Sequence, residues 1–190
     1  MSYQSWQETI AIQRAAGTLF NTYTTAKSVI NPDALVSLPP NFFYPGRMLR
    51  VFVSGGISNV ATTPGLMNFQ IIIGAAAVAF DTGNIQLNAT AHTTLPFWLD
   101  ILLTCRAIGS GTAANIMGQA SVTGIMFTRT AGQTDDAQGM QTILVPATAP
   151  TVGAGFDSTI TNLFNFFTGF TINNAGNGIQ VQQYKVVSLN

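Results

Sequence analysis

The stretch "PFWLDILLTCRA", residues 96–107, constrains the fold more than any other. Phe97, Leu99, Ile101, Leu103 and Cys105 fall on one side of an extended chain, and Trp98, Asp100, Leu102, Thr104 and Arg106 on the other. Successive side chains of a strand point to opposite faces, so this pattern marks a strand with one face against a core. "RMLRVFVSG" repeats it, with Leu49, Val51 and Val53 set against Met48, Arg50 and Phe52. In "LMNFQIIIG", Met67, Phe69, Ile71 and Ile73 share a face. Further strands are expected at 85–89, 120–127, 166–172 and 179–189. Some eight to ten strands parted by Gly, Pro, Asn and Ser turns predict an all-β antiparallel sandwich or barrel. In "GIQVQQYKVVSL" the apolar phase slips between Val181 and Tyr184, which calls for a β-bulge or for a strand covered on both faces.

Helical periodicity is scarce. Residues 3–17, "YQSWQETIAIQRAAG", place Trp6, Ile10 and Gln13 on one stripe with Gly17 as a stop, and the same run also reads as an extended arm. Residues 1–22 are therefore set apart as an N-terminal arm or short helix, and 23–190 as one sandwich domain. A short helical turn fits 157–164, with Asp157 or Ser158 as its cap. Residues 61–67 and 128–155 read as long surface loops, the second an excursion that touches a neighbouring subunit.

Only 7% of the 190 residues are charged, with 7 basic and 7 acidic side chains, against about 25% in ordinary soluble proteins. Such a surface is built from Thr, Ser, Asn, Gln and Gly. With little charge repulsion it suits a subunit packed against copies or partners. A nucleic-acid partner is not expected, because phosphate binding needs a surplus of Lys and Arg. The longest apolar run, "IIIGAAAVAF", is about half of what a membrane-spanning helix requires. No signal peptide is visible, and the single Cys105 excludes an internal disulfide framework, which places synthesis in a reducing cytosol.

Candidate chemistry is sparse. Asp81 lies in "FDTGN", where Asp-Thr-Gly resembles the catalytic loop of retroviral-type aspartic proteases. With no second Asp-Thr-Gly in the chain, only a homodimer would complete the dyad that activates water. Such proteases also follow the loop with a flap and a hydrophobic-hydrophobic-Gly stretch, whereas "IIIG" here precedes it. The segment reads instead as a hairpin turn between "AVAF" and "IQL". His92 is a general-base residue type without an obvious nucleophile, and Cys105 is expected to point inward as a small hydrophobe. "TDDAQG" offers Asp135 and Asp136 without the spacing of a calcium loop, and "GSGTAANIMG" lacks the P-loop pattern and its Lys. No catalytic, metal or cofactor residue is assigned.

The aromatics point towards association. Trp98 shares its strand face with Asp100 and Arg106, two charges suited to a cross-strand salt bridge or a subunit contact. Phe42 and Phe43 precede a Pro-Gly turn. Adjacent Phe166 and Phe167 need cover on both faces of a strand, from a second sheet, a partner subunit, or the arm. Trp6, Phe42, Phe43, Trp98, Arg106, Phe166 and Phe167 are the candidate residues for contact with another subunit or a larger assembly.

The stretches "YTTAKSVINPDALVSLPPNFFYPGRMLRVFVSGGISNVATTPG", "TTLPFWLDILLTCRAIGSGTAANIMGQASV", "FDSTITNLFNFF" and "QVQQYKVVSLN" resemble small β-sandwich virion proteins of tailed bacteriophages, the cement, decoration or head-fibre type. The resemblance spans residues 23–190 and carries no catalytic motif. It implies a jelly-roll-like sandwich bound in many copies to the outside of the capsid. The partner would be the major capsid protein. The chain would be a homo-oligomer, a trimer ahead of a dimer, made in the host bacterial cytoplasm. A tail-fibre or receptor-binding subunit is the alternative reading, and a dimeric aspartic protease using Asp81 stands third.

Overall fold

The computed structural model describes residues 7–128 and 139–189. Apart from a single 3-10 turn at Pro32–Ala34, its regular elements are strands. In chain order these are β1 (Glu8–Ile12), β2 (Phe20–Asn21), β3 (Lys27–Ser28), β4 (Val36–Leu38), β5 (Met48–Asn59), β6 (Leu66–Ile73) and β7 (Ala77–Asp81). There follow β8 (Ile85–Leu87), β9 (His92–Ala107), β10 (Asn115–Gly124), β11 (Phe127–Thr128), β12 (Gln141–Val145), β13 (Asn162–Phe170) and β14 (Gly178–Ser188). Two antiparallel sheets face each other. Each has seven strands; the larger, with the longer strands, runs β1-β14-β5-β9-β10-β12 with β2 also beside β14, and the smaller β11-β8-β6-β13-β3, with β4 beside β13 and β7 beside β6.

The pairings follow one rule. β1 pairs with β14, β4 with β13, β5 with β9, and β6 with β8. The chain is thus one long hairpin whose first arm pairs with its second in reverse order, then wraps into two layers. That nested order is the jelly roll. Strands β10 to β12 are inserted between β9 and β13, and two of them widen the larger sheet beyond β9.

The alternation in the sequence sets the faces. Phe97, Leu99, Ile101, Leu103 and Cys105 are buried, as are Leu49, Val51 and Val53, and Met67, Phe69, Ile71 and Ile73. Phe69 links the layers, stacked on Phe97 (5.8 Å between ring centres) and on Phe166 (5.7 Å), with Phe127 against its edge. Where β10 crosses over β7, Gly118 lies against the Phe80 ring and leaves no space for a Cβ. The phase slip in the last strand is a bulge: the register of β14 against β5 shifts between Val181 and Gln183.

Several expectations are corrected. Residues 8–12 form no helix. They take the extended alternative, because β14 offers an unpaired edge and its backbone partners outweigh a weak helical stripe. Residues 157–164 form no helical turn. Asp157 accepts from Thr159 N–H in a tight local turn, and β13 begins at Asn162. The stretch 128–155 is not loop throughout, since β12 lies inside it, while 129–138 fall outside the described residues. Short strands such as β2, β3 and β11, two residues each, carry too little pattern to be read locally.

Candidate functional site

Asp81 ends β7, but not in a hairpin. β7 and β8 both pair with β6, end to end, so the Asp81–Thr82–Gly83 turn carries the chain from one stretch of β6 to the next. Its carboxylate accepts from Gly83 N–H (2.7 Å), Gln70 Nε2 (2.6 Å) and Asn68 Nδ2 (3.2 Å). Thr82 Oγ1 accepts from Phe69 N–H, and Gly83 takes φ +67°, where a side chain would be strained. The acid in this motif is spent on holding a turn.

His92 and Cys105 stand at opposite ends of β9, thirteen residues apart in sequence, which at roughly 3.3 Å per residue is about 40 Å. They form no pair. Asn59 Nδ2 donates to the carbonyls of Val60, Asn88 and Thr90, so its Oδ1 is left to accept from His92 Nδ1–H (2.9 Å). Cys105 is buried and its thiol donates to Ala107 O. Burial pushes that thiol up from its ordinary range. Asp135 and Asp136 lie outside the described residues. Among the described residues no three His, Cys, Asp or Glu side chains gather in a way that could hold a metal.

The interface candidates divide. Phe43 and Phe166 are buried within the chain, Phe43 against Phe156 and Phe166 between Phe69 and Tyr184, so neither presents a surface. The need for cover on both faces of β13 is met for Phe166 by the opposing sheet, and Phe167 is half-buried on the outer side. Phe42 is partly buried against Phe43 and carries the Arg47 guanidinium on its ring, 3.7 Å from the centre. Trp6 lies outside the described residues. Trp98 and Arg106 are exposed on the outer face of the larger sheet, eight residues apart on β9, or roughly 26 Å.

Around Trp98 the outer face forms a candidate binding surface. The indole is 46% exposed because its cross-strand neighbours, Ser54 on β5 and Thr123 on β10, are too small to cover it. Phe52 lies diagonally across, 6.1 Å between ring centres. Asp100 does not pair with Arg106. Arg50 Nε and Nη2 reach it in a bidentate bridge of 2.9 and 2.5 Å, and the Arg50 guanidinium also sits over the Phe52 ring. Hydrogen bonding to Asp100 raises Arg50 further above its already high range. Arg106 instead approaches Met117 Sδ.

The β14 bulge adds two amides. Without it, Gln182 and Gln183 would point to opposite faces; with it, both are exposed. Ser54 Oγ donates to Gln183 Oε1 (3.2 Å). Two open grooves border Trp98. One, of about 420 Å³, is lined by Pro96, Thr123, Met140 and Gln182, and the other, of about 450 Å³, by Ile12, Phe52 and Lys185. Ser54, Trp98 and Gln183 belong to both. Beyond Asp100 the apolar area continues through Leu102 and Leu144, the latter 61% exposed. Arg50, Phe52 and Gln183 were not picked out as site residues from the sequence, although the alternation had already put Arg50 and Phe52 on the outer side of β5.

No family model matches the chain, and no curated protein matches it. Among solved structures it is similar to the CBM2 module of the evolved Dit protein of Lactobacillus casei BL23 phage J-1, at 10% identity, with 99% of each chain covered and a TM-score of 0.31. The sandwich assignment rests on the two sheets described above. No helix among the described residues is long and apolar enough to cross a membrane.

Proposed function

We propose that the chain is a structural, non-enzymatic subunit of a tailed-bacteriophage virion, working as a tail-fibre or receptor-binding β-sandwich that attaches through the outer face of its larger sheet. The observation that carries this reading is the uncovered Trp98 surface, where an indole, an ion pair and two bulge-borne amides border grooves of ligand size. The sequence resemblance to phage virion proteins over residues 23–190 supports the virion setting. Near-zero net charge and a Thr/Asn/Gln-rich composition suit a subunit that works as a homo-oligomer, with a trimer favoured.

A second reading, capsid cement bound to the major capsid protein, is favoured by exposed apolar residues away from Trp98. Ile160 and Leu163 near the start of β13 and Val152 before it would suit an extended, repeated contact over a shell. Electron microscopy of particles with and without the chain, followed by add-back of purified protein, separates the two. Density confined to the tail supports the receptor-binding reading. Density at regular positions over the shell, with added heat resistance, replaces it with cement. Particles in which the chain leaves no density overturn both.

A further inference from the structure

Resting on the attachment reading above, we infer that the Trp98 surface takes a neutral saccharide, one pyranose ring against the indole and its neighbours in the flanking grooves.

Four features of the surface match that chemistry. First, the indole is held out by small neighbours, Ser54 and Thr123, so a flat ring can approach it. The C–H groups of a pyranose are apolar and slightly positive, and they meet the negative face of an aromatic ring favourably. Second, the hydroxyl rim of a sugar needs short-range donors and acceptors. The bulge supplies Gln182 and Gln183 side by side: Gln183 Oε1 accepts from Ser54, which leaves its amide N–H groups to donate, and Gln182 Nε2 donates to Gln180 Oε1, which leaves its own Oε1 to accept. Third, the local charge is small: Arg50 and Asp100 neutralise each other, which leaves Lys185 on the edge of one groove. A polyanion would find one Lys here rather than the run of basic groups it needs. Fourth, a wholly apolar occupant would strip water from Gln182, Gln183 and Ser54 without replacing their hydrogen bonds. A ring that is apolar on its faces and hydroxylated at its rim satisfies both kinds of group.

The chain has two tryptophans, so a Trp6→Phe variant leaves Trp98 as the sole indole reporter. That variant is titrated with maltohexaose, cellohexaose and chitohexaose. A saturable change in Trp98 emission with at least one of them, at a Kd of about 1 mM or tighter, is the expected result. Calorimetry on the Trp98→Ala chain should then show binding weakened at least tenfold, and Gln183→Ala a loss of roughly threefold to tenfold. Both variants should keep the parent melting temperature to within a few degrees. Absence of binding by all three hexasaccharides, or binding that Trp98→Ala leaves intact, overturns the inference. So does a Trp98 emission change that follows the protein's own concentration, which would assign the face to a second copy. None of these failures touches the location of the chain in the particle, which electron microscopy decides separately.

Discussion

The two outer faces of this sandwich are built on the same backbone plan and end differently. On the smaller sheet the outward side chains bond to one another: Asn68 and Gln70 reach Asp81, and Ser28 donates to Asn165 (2.8 Å), which is itself buried. On the larger sheet Ser54 bonds to Gln183 and Thr123 to Thr142, but between these pairs the outward positions hold Phe52, Trp98, Leu102 and Leu144 beside one bidentate ion pair. Amides placed beside a carboxylate or a hydroxyl are satisfied within the chain and close a surface. An indole placed between serine and threonine stays open. Apolar area uncovered in this way marks a contact site, while a face whose polar groups are paired within the chain needs no partner.

The bluntest way to break this comparison is to remove what both faces stand on. Phe69→Ala would cavitate the stack with Phe97, Phe166 and Phe127, and should cost about 3–5 kcal/mol in denaturant unfolding. If it costs less than about 1 kcal/mol, the layers are not joined there. Next comes the closed face. Asp81→Ala strands Gln70, Asn68 and Gly83 N–H without their shared acceptor and should cost about 2 kcal/mol. A near-zero cost would mean that this polar net contributes nothing and that the two faces are alike.

A smaller effect of opposite sign is expected just beneath the open face. Tyr184 is buried, and its hydroxyl has no hydrogen-bond partner among the described residues. Burial raises its phenol so that it stays protonated through any ordinary pH. Tyr184→Phe should therefore stabilise the fold by about 1 kcal/mol, measured by the denaturation midpoint. Smaller still, Trp98→Ala should change stability by about 1 kcal/mol or less while it alters binding, since half the side chain is already in water. Arg50→Ala should behave similarly, because exposed pairs are worth about 0–1 kcal/mol.

The mildest lever is acid, at the end of the sandwich. The hydroxyl of Thr159, then the backbone N–H groups of Gly111 and Thr159, hold the Asp157 carboxyl below the usual carboxylate range. A depressed acid stabilises the fold fully above the range of the unfolded carboxyl, and the contribution drains as pH falls through the folded value. Protection of the Gly111 amide, its hydrogen-exchange rate normalised to the intrinsic rate at each pH, should fall in that acid window, and Asp157→Asn should remove the pH dependence.

Much of the architecture was legible locally. The inward set on β5, β6 and β9 follows from alternation, because the direction of a side chain on a strand is fixed by its own backbone. The bulge was legible too, as a slip of phase between Val181 and Tyr184. The N-terminal segment was not, since "ETIAI" carries five residues of ambiguous pattern and its strand form depends on an edge of β14 almost the whole chain away.

The candidate site shows where local reading stops. The sequence placed Trp98, Asp100 and Arg106 on one face, and they are on one face; which of them meets which was decided by register. β5 slides beside β9 so that Phe52 stands opposite Asp100 and Arg50 opposite Leu102, bringing Arg50 diagonally onto the carboxylate and leaving Arg106 far along the strand. In the same way Phe43 and Phe166 were candidates for a contact with another subunit, and the chain's own packing takes them into the core, Phe43 against Phe156 and Phe166 between Phe69 and Tyr184. The sequence by itself determined which way each side chain points, a property of neighbouring peptide units. Only the tertiary structure decided its neighbours, because pairing joins residues that local chain geometry leaves free to choose among many partners.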